Sequence, residues 1–184
     1  MMKGCGWELS SPSMVKYHDE EWGVPVHDDK KLFEFLVLEA FQAGLSWSTV
    51  LNKRENFRKA FAGFDFNKVA RFKQRDVQRL LKDAGIIRNK AKILAAINNA
   101  KRFLEVRREF GTFDKYIWGF VKRPVNNYFK SLNQLPAKTP LAEKISEDLK
   151  RRGFKFVGPT IIYAHMQATG MVNDHLWNCE RKKR

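Results

Sequence analysis

Cysteine is nearly absent from this chain, with two in 184 residues, which excludes a scaffold built on several disulfides. No stretch approaches the roughly 20 consecutive apolar residues of a membrane span. The opening MMKGCGWELSS also lacks the apolar run of a signal peptide. No membrane association and a cytoplasmic location are therefore expected. Convincing apolar/polar alternation is missing, so strands are not expected to organise the fold, and neither an internal repeat nor a low-complexity segment interrupts the chain. Acidic residues are the last shortage. Twenty stand against 35 lysines and arginines, a formal charge of +15. A compact domain this basic repels itself unless it meets a polyanion, and nucleic acid is the natural one. The terminal ERKKR adds little to that reading, because a charged chain end is ordinarily just solvated.

What is present is helical periodicity. Apolar spacing of three and four predicts helices over about 29–43, 47–61, 74–84, 89–109, 113–121, 139–152 and 159–169. Asp28, Ser46 and the pair Thr139–Pro140 supply start signals. The stretch 122–138, with KRPVN and NQLPAKTP, is the longest irregular one and the expected seam between two lobes of a single unit spanning 1–184. That length is enough for one domain with a real core.

Three features point to chemistry. Each cysteine has a histidine downstream: Cys5 with His18 in YHDEEWG, and His175 with Cys179 in NDHLWNC. Together they are the Cys₂His₂ set that tetrahedral zinc prefers. Spacing alone leaves open a disulfide or two unrelated buried thiols. His27 and His165 are expected to be surface or satisfied core residues. Glu39 is the second feature. It falls on the stripe of Leu32, Leu36 and Ala43 in a segment apolar almost all round, where a carboxylate must be paired with an arginine, neutralised, or turned to a polar cavity. Third, Trp7, Tyr17, Trp22 and Trp47 crowd the first 47 residues beside both oddities. Flat π faces, a buried acceptor and a basic surface describe a pocket for an extruded base, although core packing is the usual fate of such side chains.

The segments CGW, YHDEEWGVP, LEAFQAGLSW, DAGIIRNKAK, RGFKFVGPT and VNDHLWNC occur in this order along nearly the whole chain. In this the sequence resembles the bacterial 3-methyladenine DNA glycosylase I family. The resemblance implies an all-α, helix-hairpin-helix glycosylase fold of two lobes around a DNA cleft. It implies that Cys5, His18, His175 and Cys179 hold one structural zinc joining the two chain ends. It further implies that Tyr17 and Trp47 sandwich the excised base, that Glu39 accepts hydrogen bonds from its edge, and that Trp7 and Trp22 form pocket wall. Gly44, in AGLSW, is then the backbone that approaches the vacated gap. The hairpin resembles 152–160, where Gly158 and Lys155 are the phosphate-facing candidates. Phe156 stands where superfamily hairpins commonly carry their first glycine. Asp174 lies near the position of the superfamily's catalytic aspartate, but the resemblance implies no such role for it.

The expected activity is hydrolysis of the N-glycosidic bond of 3-methyladenine in alkylated double-stranded DNA by a monomeric, monofunctional enzyme, leaving an abasic site. Nothing nominates a Schiff-base lysine, and the H-x-E and C-x-x-C motifs of zinc deaminases are absent. A zinc-stapled helical DNA-binding module without catalysis is the reading from another class.

Overall fold

The computed structural model describes residues 4–183, and within them the chain is mostly helical. Ten α-helices are linked by short turns and 3-10 segments. The first, α1 (Pro12–Glu20), is not announced by periodicity, because it is short and mostly polar outside Met14, Val15 and Tyr17. Its start signal is nevertheless the one seen at Thr139–Pro140: the Ser11 hydroxyl accepts from the Met14 N–H and Pro12 occupies the first turn.

The central element is α2 (Asp29–Gln42), capped by Asp28 through the Lys31 N–H and buried at every position from Leu32 to Phe41. A run with no solvated face must be covered on all sides. One side of α2 meets the larger core, rich in phenylalanine, with Phe33, Leu36 and Phe41 among Phe57, Phe61, Phe64, Phe66 and Phe103. Phe35, on the other side, packs with Cys5, Tyr17, Trp22, Leu176 and Cys179 in a second, smaller cluster.

The helix expected over 47–61 is two: α3 (Trp47–Leu51) and α4 (Arg54–Ala60), broken at Asn52–Lys53. Asn52 is helical but Lys53, at ψ 0°, is not, so the axis turns there while the apolar spacing continues. Then come α5 (Phe66–Val69), α6 (Gln74–Lys82), the long α7 (Lys90–Phe110) and α8 (Phe113–Trp118). Gly111 at φ 85° ends α7, a conformation that favours glycine at a helix end.

The irregular stretch 122–138 is tied down. Within it β1 (Val125–Asn126) pairs in parallel with β2 (Val172–Asn173), a small departure from an all-helical reading. These two-residue strands are too short to leave an alternating pattern. The closing pair is α9 (Pro140–Arg151) and α10 (Pro159–Ala168). Among the described residues no helix is long and apolar enough to cross a membrane.

Candidate functional site

The C-terminal half of α2, together with α1, α3 and α10, encloses a cavity of about 190 Å³ lined by Trp7, Met14, Tyr17, Trp22, Glu39, Gln42, Trp47, Leu135, Ala164 and Gln167. Pockets for drug-sized ligands run to about 300–1,000 Å³, so this one suits a single flat ring system. The five aromatic and acidic residues expected at a base pocket therefore line one cavity. Tyr17 and Trp47 lie with ring centroids 5.2 Å apart and planes inclined by 49°. Trp7 meets Trp22 edge-on at 5.1 Å.

Glu39 is only 3 % exposed, and its Oε2 has no hydrogen-bond partner. Among the described residues no arginine pairs with it. That role falls to Glu34 on the same helix, which accepts from Arg54 Nε at 2.6 Å and Arg58 Nε at 2.9 Å. Burial pushes the Glu39 carboxyl up to about 8, because removing a charge from water favours the neutral acid. Burial, reinforced by the facing Glu39, also holds the Tyr17 phenol well above its ordinary value, so Tyr17 is a neutral donor. Trp47 Nε1 is buried without a partner as well. Buried polar atoms in native proteins are normally satisfied. Two unsatisfied ones in a single small cavity mark a surface complementary to something polar.

Gly44 falls in the turn after α2 at φ 78°, where glycine meets no steric penalty, and open space surrounds the position of a side chain there. It lines a second cavity of about 180 Å³ with Glu39, Leu45 and the first turns of α10. Lys92 of α7 holds this turn in place. Its buried ammonium donates to the carbonyls of Phe41 at 2.9 Å and Ala43 at 2.6 Å, terminal acceptors of α2 that the helix itself leaves unmet. Sequence reading overlooks Lys92, yet it shares the buried stripe of α7 with Ile93, Ala96 and Asn99. A polar residue on an apolar stripe is the signal that singles out Glu39.

The 152–160 turn joins α9 to α10. Asn99 grips it twice, donating to the Lys155 carbonyl at 2.8 Å and accepting the Lys155 N–H at 2.8 Å. Asn98 donates to the Gly153 carbonyl at 2.8 Å, and Ser146 to that of Val157 at 2.6 Å. Phe156 sits at φ 53°, the left-handed region where glycine is at ease. That is the physical reason a glycine suits the position. Gly158 caps α10 with no atom within 4 Å of a side-chain position, and Lys155 borders a groove against α7.

Beside the aromatic pocket, Cys5, His18, His175 and Cys179 are all buried, with their ligand atoms within 4.8 Å of one another. Both cysteines are free thiols, so the disulfide alternative falls. His18 comes from α1, and His175 and Cys179 from one non-helical turn after β2. His18 Nδ1 lies 2.8 Å from Asp19 Oδ1, and His175 Nε2 lies 3.0 Å from the Trp22 carbonyl. An acceptor at each outer nitrogen holds the proton there and leaves His18 Nε2 and His175 Nδ1 as lone pairs turned inward. The Leu176 N–H donates to Cys5 Sγ at 3.3 Å. Four such groups can hold a metal ion. Of the remaining histidines, His27 pairs with Asp114 at 2.7 Å on the surface. His165 corrects the expectation of a satisfied core residue: neither ring nitrogen has a partner, and burial pushes it down to about 4, so it packs as a neutral ring.

A basic, helical protein with a small aromatic cavity, an unpaired acid inside it and a Cys/His cluster at its flank is a receptor for a flat, polar heterocycle. Residues 7–182 match the methyladenine glycosylase family. The chain is 49 % identical to DNA-3-methyladenine glycosylase 1 of Escherichia coli over 97 % of its own length and 96 % of that protein's. It is 43 % identical to DNA-3-methyladenine glycosylase of Haemophilus influenzae over 99 % of each. A solved tyrosine-to-phenylalanine variant of 3-methyladenine DNA glycosylase I in complex with 3-methyladenine superposes with a TM-score of 0.95 at 34 % identity, covering 100 % of this chain and 99 % of that one. The chain belongs to the methyladenine glycosylase family.

Proposed function

We propose that this protein is a DNA-3-methyladenine glycosylase that hydrolyses the N-glycosidic bond of the alkylated base and leaves an abasic site. The observation that carries the reading is Glu39, a buried acid with an unsatisfied oxygen inside an aromatic cavity of base size. The reading agrees with the names of relatives that match over nearly the whole chain.

In DNA, adenine methylated at N3 carries a positive charge. Entry of that cation supplies the partner that the Glu39 carboxyl lacks, so the ionised acid becomes favourable only with the base in place. Glu39 then accepts from the exocyclic amine of the base, while Tyr17 and Trp47, whose centroids at 5.2 Å leave no room for a ring between them, offer it π faces from the cavity lining. As the bond to C1′ breaks, its electron pair moves onto the base, which departs neutral. The sugar acquires oxocarbenium character, and water adds at C1′ and releases a proton. Unmodified adenine is a poor leaving group and would leave the carboxylate buried beside a neutral ring. The cavity thus needs only to hold the extruded base and strengthen its contacts as charge redistributes.

The Cys5, His18, His175 and Cys179 set fits zinc. With Zn–S of about 2.3 Å and Zn–N of about 2.0–2.1 Å, a tetrahedral site has S···N edges of about 3.6 Å and N···N of about 3.3 Å. Cys5 Sγ to His175 Nδ1 is 3.6 Å, Cys179 Sγ to His18 Nε2 is 3.6 Å, and His18 Nε2 to His175 Nδ1 is 3.2 Å. Four protein ligands close the coordination sphere, so the ion supplies cross-linking of the chain ends and no reaction step. The two-lobed helix-hairpin-helix reading rests on the α9–α10 turn, where Gly158 and the start of α10 offer backbone donors to a phosphate and Lys155 a charge. Double-stranded DNA is the substrate polymer, with a monomer acting in the cytoplasm.

The test is chromatographic resolution of bases released from methylated duplex DNA. Selective, time-dependent release of 3-methyladenine without strand cleavage is the expected result. DNA binding with no release would instead favour a binding module. Metal analysis of dialysed protein should find about one zinc per chain, and Cys179→Ser should lower the melting temperature more than the excision rate. Full stability without bound metal would remove the zinc reading.

A further inference from the structure

Asp174 occupies the neighbourhood where a catalytic aspartate was conceivable, but its carboxyl group is fully engaged elsewhere. It is 1 % exposed and does not reach the base cavity. Its Oδ1 accepts from Asn127 Nδ2 at 2.7 Å, and its Oδ2 accepts from the Tyr163 hydroxyl and from Gln167 Nε2 at 2.8 Å. Gln167, by contrast, does line the cavity, facing the same space as Glu39.

A carboxylate only accepts hydrogen bonds, so Gln167 must present its amide nitrogen to Asp174. The carbonyl Oε1 is the other polar atom of the same planar group. Gln167 lines the cavity and its amide nitrogen is committed to Asp174, so Oε1 is the polar atom left to meet a bound ring. We propose that Gln167 is a specificity-determining residue whose Oε1, held by the Asp174 positioning residue, accepts a hydrogen bond from a 6-amino purine and disfavours a 6-oxo purine. The inference rests on the glycosylase reading for its ligand and adds to it the choice between alkylated adenine and alkylated guanine. The exocyclic amine of adenine has two hydrogens, enough for Glu39 and Gln167 together. The O6 of guanine would turn lone pairs toward the Gln167 acceptor, and an acceptor facing an acceptor forfeits its hydrogen bond while remaining desolvated.

Equilibrium binding of free 3-methyladenine and free 3-methylguanine, followed by the fluorescence of the cavity tryptophans, tests this independently of catalysis. Wild-type protein should prefer the 6-amino base. Gln167→Met, similar in length and without the acceptor, should narrow that preference by about tenfold or more, chiefly by weakening 3-methyladenine. Asp174→Asn lets the facing amide turn either way and should narrow it in the same direction by less, even where its melting temperature falls. An unchanged preference in folded Gln167→Met, or wild-type protein that binds both bases equally or neither, overturns the proposal. Failure of the glycosylase reading is separate: it shows as absence of base release from methylated DNA by wild-type protein.

Discussion

Glu34 and Glu39 sit on one helix five residues apart, both buried, and they do opposite things. Glu34 is surrounded by cations: Arg54 and Arg58 donate to it, and Arg54 also reaches Glu21 at 2.8 Å and 2.9 Å, with Lys31 closing the network on Glu21 at 2.7 Å. Glu39 lines the aromatic cavity with an oxygen unmet among the described residues. The N-terminal half of α2 therefore belongs to a region where every buried charge is matched within the fold. Its C-terminal half belongs to one where matching is deferred to a ligand. The unmet Glu39 oxygen, the unmet Trp47 Nε1 and a lysine consumed in capping the helix end lie on this second side. Unmet polar groups placed beside a cavity are what a preorganised site looks like.

The contrast is sharpest in stability. Glu34→Gln removes one of the two carboxylates that neutralise buried Arg54 and should destabilise the fold by about 1–3 kcal/mol, measured by urea unfolding, while the folded fraction keeps its excision rate. Glu39→Gln should do the reverse. Excision of 3-methyladenine falls by about 100-fold with no loss of melting temperature, because no partner is stranded. Equal effects of the two substitutions on stability would erase the distinction between the halves of α2.

The pH dependence follows from the same residue. The Glu39 carboxyl is raised from 4.5 to about 8 in the folded protein, so the fold prefers it protonated. Its stabilising contribution is complete below pH 4.5 and is lost as pH rises through about 8. In the absence of DNA, Glu39→Gln should therefore gain stability relative to wild type between pH 5 and pH 8.5, by urea unfolding at each end of that range. A flat difference would mean that Glu39 is ionised and paired in the free protein.

The smallest effect concerns Phe156. Glycine relieves the φ of 53°, whereas alanine retains the strain and loses the ring, so Phe156→Gly should exceed Phe156→Ala in stability by about 1 kcal/mol. Alanine equal to glycine would show that the turn relaxes once the ring is gone.

Much of this organisation is legible in residue order. Apart from the four-residue α5, the helices from α2 onward follow apolar spacing, and Glu39 stands out as a charge on a wholly apolar stripe. The Cys/His pairs name themselves by residue type. What escapes has a common cause. The helix α1 is too short and polar to show a period, the break at Asn52–Lys53 changes direction without changing spacing, and β1 and β2 hold two residues each. Lys92, Asn99 and Gln167 act through partners 49, 56 and 7 positions away, and only the folded chain reveals them.

Sequence by itself determined the helical class, the basic surface, the inventory of soft metal ligands and the presence of an acid that had to be neutralised, paired or turned to a cavity. Those follow from composition and local periodicity, which are properties of neighbours along the chain. Which of the three fates Glu39 meets was decided in three dimensions. The arginines that might have reached it converge on Glu34 and Glu21, and α1, α3 and α10 wall off a cavity around it instead. The union of Cys5 and His18 with His175 and Cys179, more than 150 positions apart, was decided there too, because pairing across such a distance depends on packing of the elements between.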